Sequence, residues 1–122
     1  QVLHPAVTTS PGHANWRELC AGGQSSPSGV HWGGAAASLL SLRFNPGFKQ
    51  SQVDAFCNAL GLFKLGFSWA GPISLVVPYD LSKMRQHAPV DLMQGGFVRL
   101  AIGLESADDL IADVAQALNA MN

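Results

Sequence analysis

One arginine is placed to do chemistry that its neighbours in the chain are not. In Phe97-Val98-Arg99-Leu100-Ala101-Ile102, period-two alternation sets Val98, Leu100 and Ile102 on one face of a strand and Phe97, Arg99 and Ala101 on the other. A guanidinium keeps its proton, so in a half-buried setting it needs an anion or carbonyl partner, and its planar fork matches a carboxylate in bidentate fashion. No acidic residue follows until Glu105. Spacing alone favours an edge-strand arginine in solvent or in a structural ion pair, and leaves a carboxylate-reading role as the alternative. A second candidate is Ser68, which stands between two aromatics in Phe67-Ser68-Trp69-Ala70-Gly71-Pro72. It lacks the glycine-flanked elbow of a serine hydrolase, and a turn serine is the simpler reading. The aromatics on either side could wall a small-molecule pocket.

Other reactive side chains form no constellation. His4, His13, His31 and His87 lack metal-ligand spacing, and no cysteine pair accompanies them. Neither Gly22-Gly23 nor Gly33-Gly34 sits between a strand and a helix as a phosphate-cradling loop would. Lys49, Lys64 and Lys83 occupy helix-flank, strand-end and surface positions, none suited to Schiff-base work. Asp108, Asp109 and Asp113 read as a solvated helix face, not a metal or acid/base cluster.

The elements that position these residues follow from pattern. Val2 and Leu3 make a short strand stopped by Pro5, and Ser10 with Pro11 opens a helix that runs to Cys20 and buries Trp16 and Leu19. Residues 21–37 lack periodicity and read as a long Gly/Ser/Ala-rich loop. A strand over residues 38–44 puts Leu40, Leu42 and Phe44 on one face and Leu39, Ser41 and Arg43 on the other. A helix over residues 51–60 carries Val53, Phe56, Cys57 and Leu60 at helical spacing and stops at Gly61. Strands follow over residues 64–68 and 73–77, the second closed by Pro78, then one helical turn over 81–86 and an irregular stretch over 88–95. After the Arg99 strand, Ser106 caps a final helix whose stripe is Leu110, Ile111, Val114, Ala117, Leu118 and Met121.

This order predicts an α+β fold, a two-layer sandwich of a mostly antiparallel sheet of about four strands with helices packed on one face. The opposite face carries Arg99, Ser41, Arg43 and Ser68, where a partner domain could dock. The chain has 122 residues, enough for one domain, and a net charge of -1, which excludes an electrostatic nucleic-acid footprint or a polybasic membrane patch. No apolar run approaches the roughly 20 residues of a membrane span. Two cysteines, with Cys57 on an apolar helix face, point to a reduced, cytoplasmic setting. The first residues, Gln1-Val2-Leu3, lack an initiator methionine, as expected of a fragment of something longer.

At the level of whole motifs the chain resembles the C-terminal domain of the fold-type I pyridoxal-phosphate (PLP) enzymes of cysteine and methionine metabolism, and among them the cystathionine β-lyases. The likeness rests on Leu3-His4-Pro5-Ala6 with Pro11-Gly12-His13 and Trp16, on residues 62–72 with Ser74-Leu75-Val76, and on residues 98–105 with Asp108-Asp109-Leu110-Ile111. Residues 22–37 look like an insertion relative to the family. The resemblance implies that residues 1–122 are a small domain whose upstream PLP-binding domain is absent, so that no catalytic, cofactor-binding or metal-binding residue lies in this fragment and the fragment alone is inactive. It implies substrate-binding roles for Arg99, which would grip the α-carboxylate, and for Ser68, Trp69 and Phe67 beside it. With the upstream domain, PLP would act as electron sink for cleaving the C–S bond of cystathionine to homocysteine, pyruvate and ammonia in methionine biosynthesis, in a homotetramer. A γ-synthase, a γ-lyase or an O-acyl-homoserine sulfhydrylase is the alternative within the family, and a non-catalytic α+β interaction module the alternative outside it. Two positions depart from the family pattern: Phe67 stands where tyrosine is frequent, and Pro72-Ile73 replaces an aromatic and a glutamate.

Only 12% of the residues are charged and 48% are hydrophobic, against about 25% charged in an average soluble protein. Such a chain is short of polar surface to cover itself. On its own it is expected to self-associate, and a strictly monomeric light-scattering profile at high concentration would count against a missing interface.

Overall fold

A computed structural model describes residues 1–20, 36–84, 87, 90 and 94–121. The chain divides into two compact units, Val2–Ala37 and Ser38–Asn122 together with Gln1. The irregular loop expected over 21–37 lies almost wholly outside the described residues, as does most of the stretch 88–95.

In the first unit, β1 (Val2–Leu3) precedes α1 (His13–Leu19). Trp16 buries itself against Ala6, while Leu19 is 81% exposed, contrary to the expected burial. The helix also starts later than Ser10 and Pro11 suggest. Gly12 is its N-cap, with φ 81°, a left-handed conformation that glycine adopts without steric cost. Ser10 serves instead as an acceptor through its carbonyl, which takes the His13 N–H at 3.1 Å.

The second unit holds β2 (Leu39–Arg43), α2 (Gln50–Ala59), β3 (Lys64–Leu65), β4 (Leu75–Tyr79), α3 (Leu81–Met84), β5 (Phe97–Ala101), α4 (Ala107–Leu118) and a closing 3-10 turn (Asn119–Met121). Its strands are ordered β2-β5-β4-β3, so β5 is central. Antiparallel registry aligns Leu40 and Val76 with Leu100, and Ser41 and Val77 with Arg99. Residues directly opposite share a face, so the first row faces the helices and the second faces away. Val53, Phe56 and Cys57 of α2 and Leu110, Ala117 and Met121 from the C-terminal end pack on Val76, Val98 and Leu100, with Leu40, Leu42 and Phe44 at the margin. Fully burying a side chain such as Phe56 is worth roughly 2–3 kcal/mol. The α+β class and the helices on one face therefore stand as expected, while the described strands form a five-stranded sheet where about four were expected. Burial, and then the Asp54 carboxylate, push the Cys57 thiol up to about 11, so it stays protonated at neutral pH.

Three expectations fail for identifiable reasons. β3 and β4 pair in parallel, not antiparallel, with Lys64 opposite Leu75 and Leu65 opposite Val76. Pairing stops at Leu65, and residues 66–74, read in part as strand, form a return loop that starts β4 beside the beginning of β3. Pro78 lies inside β4 instead of closing it. The carbonyls of Ser74 and Val76 accept from the β3 side, through Lys64 and Gly66 N–H, so by alternation Pro78 also faces that side, where β3 has already ended and no N–H is required. The apolar stripe of α4 is also narrower than its sequence suggests, since Ile111 is 67% and Leu118 44% exposed.

Asp113 is a further correction: it is buried, not part of a solvated acidic face. Its carboxylate accepts the Gly61 and Leu62 N–H groups, each at 2.8 Å, and the Gln116 amide at 3.0 Å. Gln116 in turn donates to Ala59 O at 2.7 Å, so α4 satisfies both the last carbonyl of α2 and the donors just beyond it. At the other end of α2, Gln52 accepts the Lys49 N–H and donates to Met121 O at 2.6 Å. Burial of Asp113 pushes its pKa up, but the Gly61 and Leu62 N–H groups and Gln116 outweigh it and leave the carboxyl below the ordinary aspartate value. A depressed folded-state pKa stabilises the fold above the unfolded-state value and loses that contribution as pH falls through it. Asp113→Asn, which keeps the shape but presents an NH2 to one backbone donor, should lower urea-unfolding stability by about 2 kcal/mol at pH 7 and flatten the loss of stability below about pH 4.

Candidate functional site

Arg99 is fixed by the alternation of β5. Because Val98 and Leu100 must enter the core, Arg99 projects from the opposite face of the central strand, in one row with Ser41 and Val77. Its Nη2 donates to Phe67 O at 2.6 Å and to Ser68 O at 3.2 Å. Its Nε is buried and has no hydrogen-bond partner among the described residues. Among those residues no carboxylate pairs with it. Two neutral carbonyls orient the guanidinium without cancelling its charge, and a buried donor of a cation lacking an acceptor is costly. That combination suits an incoming carboxylate, which would supply both counter-charge and acceptor.

Of the candidates expected around Arg99, the fold brings in Phe67 and Ser68 through their backbone and not through their side chains. The Phe67 ring is 76% exposed and the Trp69 ring 59%, Ser68 is exposed, and all three sit on the loop 66–74. Inside this loop Ala70 has φ 60°, the sole non-glycine residue with positive φ among those described. A left-handed alanine costs of order 1 kcal/mol and persists only where its surroundings hold it.

The end of this loop is tied down by contacts that have no local signature in the sequence. Glu105, the acidic residue nearest to Arg99 along the chain, is committed elsewhere: its Oε1 accepts the Ser74 N–H at 2.7 Å and its Oε2 the Ser74 hydroxyl at 2.8 Å. Ser74 Oγ accepts the Gly103 N–H at 2.9 Å, and Pro72 O accepts the Leu104 N–H at 2.9 Å. The Ser74 N–H, then the carboxylate's own backbone N–H and the Ser74 hydroxyl, hold Glu105 below the usual glutamate range, so it is charged near neutrality. Gly103 permits this approach, since a Cβ there would stand 2.5 Å from Pro72 O and 2.5 Å from Glu105 Oε2. The sequence signal was a glycine placed between a strand and a capped helix, which marks a close backbone approach without naming what approaches.

The remaining candidates have other partners or lie on exposed surface. Lys64 Nζ donates to Gly61 O at 2.7 Å and Lys83 pairs with Asp80 at 2.9 Å. His4 Nδ1 accepts the Ala6 N–H, and His31 lies outside the described residues. Asp108 and Asp109 occupy the exposed first turn of α4, and among the described residues no group of His, Cys, Asp or Glu could hold a metal ion. No helix among them is long and apolar enough to cross a membrane. Gly103→Ala should force the segment at residues 72–74 off the end of β5. Backbone amide exchange at Ser74 and Leu104 is expected to accelerate about tenfold or more, while exchange in the middle of α2 stays slow.

Residues 1–119 match the family model described as Cys/Met metabolism PLP-dependent enzyme. Among curated proteins the chain is similar to a cystathionine beta-lyase from Bordetella avium, with 40% identity over 98% of this chain and 26% of that protein. It is also similar to a cystathionine beta-lyase from Salmonella typhimurium, with 34% identity over 94% of this chain and 26% of that protein. Among solved structures it resembles a cystathionine gamma synthase from Xanthomonas oryzae pv. oryzae, crystallised with aminoacrylate and cysteine, at TM-score 0.67 and 27% identity over 99% of this chain and 28% of that one. The chain thus spans about a quarter of the length of the curated relatives it matches. With the family model matched over nearly every residue, the chain belongs to the Cys/Met metabolism PLP-dependent enzyme family.

Proposed function

We propose that residues 1–122 form the small C-terminal domain of a carbon–sulfur lyase that cleaves cystathionine to homocysteine, pyruvate and ammonia, and that Arg99 receives the substrate's α-carboxylate. The observation that carries this reading is the Arg99 guanidinium itself: oriented by two backbone carbonyls and, among the described residues, without a carboxylate partner and with a buried Nε that has no acceptor. Family membership and the cystathionine beta-lyases among the relatives support the reaction class.

The described residues do not fit PLP itself. Lys64 is engaged with the Gly61 carbonyl and Lys83 with Asp80, and Lys49 sits at the N-cap of α2. The cofactor's lysine, its phosphate loop and its pyridine partner are assigned to a separate PLP-binding domain, with which this unit would work in a cytoplasmic homotetramer. The task left to this chain is orientation: a carboxylate gripped at Arg99, beside Ser68 and the exposed rings of Phe67 and Trp69, fixes which bond of the substrate's α-carbon faces the reacting group. The structural likeness to the Xanthomonas cystathionine gamma synthase, together with Pro72-Ile73 in place of the family's aromatic and glutamate, keeps a γ-replacement or γ-elimination as the second reading.

Two measurements on the full-length holoenzyme test the proposal. Pyruvate release from cystathionine supports the β-lyase, whereas none with turnover of a homoserine ester assigns the γ-reaction. Arg99→Ala should raise KM for amino-acid substrates by about 10- to 100-fold with the cofactor's absorbance unchanged. Arg99→Lys, which keeps charge but loses the fork, should recover only part of this. An unchanged KM in Arg99→Ala makes the arginine structural.

A further inference from the structure

The carbonyls that orient Arg99 belong to a loop with no regular hydrogen bonding of its own and with a left-handed alanine at its centre. Such a loop needs anchors at both ends. On the entering side the Gly66 N–H donates to Val76 O at 3.2 Å, a continuation of the β3 ladder. On the leaving side the anchor is mostly side chain: Glu105 accepts twice from Ser74 and Ser74 Oγ accepts the Gly103 N–H, with one backbone bond from the Leu104 N–H to Pro72 O. The loop is thus tied to the β5 segment at two places, near its start through Arg99 within the strand and at its end through Gly103 just beyond it.

We infer that Glu105 is a positioning residue for the carboxylate site, acting through Ser74 and the loop 66–74 to keep the Phe67 and Ser68 carbonyls against Arg99 Nη2. This rests on the reading of Arg99 as carboxylate anchor. Glu105 has two features that suit the task. Its two oxygens are divided between the Ser74 N–H and O–H, so it fixes that residue's backbone and rotamer together, which a single neutral acceptor cannot do. Its depressed pKa keeps the latch charged throughout the neutral range. With the latch opened, Ala70 is free to leave φ 60°, and the carbonyls of Phe67 and Ser68 leave with it. Arg99 then keeps its place on β5 but loses the contacts that aim its fork. The result is a site whose charge is present and whose geometry is not.

The test is a double-mutant cycle on the full-length holoenzyme, with KM, kcat and cofactor absorbance measured for each variant. Glu105→Ala should raise KM for the amino-acid substrate about tenfold with kcat changed less than about threefold and absorbance intact. Glu105→Gln, which retains only one acceptor for Ser74, should recover no more than part of the loss. Asp108→Ala, on the exposed first turn of α4, is the control for a general effect of losing an acid near this turn. The decisive arm combines Glu105→Ala with Arg99→Ala: a residue that acts through Arg99 adds nothing once Arg99 is gone, so the double variant should match Arg99→Ala within about twofold. Independent multiplication of the two effects overturns the inference, as does a Glu105→Ala enzyme with unchanged KM while Arg99→Ala raises it. If Arg99→Ala itself leaves KM unchanged, the carboxylate reading fails and the latch has nothing to position. Should Glu105→Ala fold poorly, Ser74→Ala and Glu105→Gln run the same cycle, and additivity with Arg99→Ala is again the overturning result.

Discussion

A guanidinium cannot surrender its charge, and the central strand of this fold cannot surrender its alternation. These two constraints meet at Arg99. Val98 and Leu100 are drawn into the core against α2 and α4, which leaves the residue between them no option but the opposite face. A cation there must be compensated, and the loop 66–74 is shaped around that need: it abandons strand pairing after Leu65, turns its Phe67 and Ser68 carbonyls to Nη2, and accepts a left-handed alanine to do so. The parallel pairing of β3 with β4 is then a consequence of the loop's return path rather than an independent feature.

The helical layer works by a different economy. α2 and α4 meet through Phe56, Val53, Leu110 and Ala117, but their relative setting is fixed by amide and carboxylate groups at the ends of α2, where backbone donors and acceptors lack helical partners. Asp113 and Gln116 stand one turn apart on α4 and so can read the end of α2 together. Apolar burial supplies most of the stability, and these polar contacts select one arrangement among several that would bury similar area.

Much of this was legible in the sequence. The faces of β2 and β5, the burial of Val53, Phe56 and Cys57, the N-cap at Ser106 and the odd side taken by Arg99 all follow from periodicity, because core burial enforces periods of two and 3.6. What escaped were contacts between segments distant in the chain. Gly66-Phe67-Ser68 continues the apolar alternation of a strand, and only the location of Arg99 in space shows why it is loop. Asp113 looks like a third member of an exposed acidic group, and only the end of α2 reveals it as an acceptor of buried N–H groups. Glu105 and Ser74, 31 residues apart, carry no local signal of their pairing.

Pro78 has an implication beyond its fit within β4. Among the described residues β3 covers β4 only as far as Val76, so the outer edge of β4 beyond that point is a stretch of strand with no neighbour. Open edges of this kind recruit strands from other molecules, the first step of sheet-to-sheet aggregation. The one backbone position there that would offer a donor outward is occupied by an imino acid with none. An approaching strand finds an acceptor without its matching N–H and cannot extend the ladder, so a chain poor in charged residues is protected at its barest edge by the chemistry of a single ring.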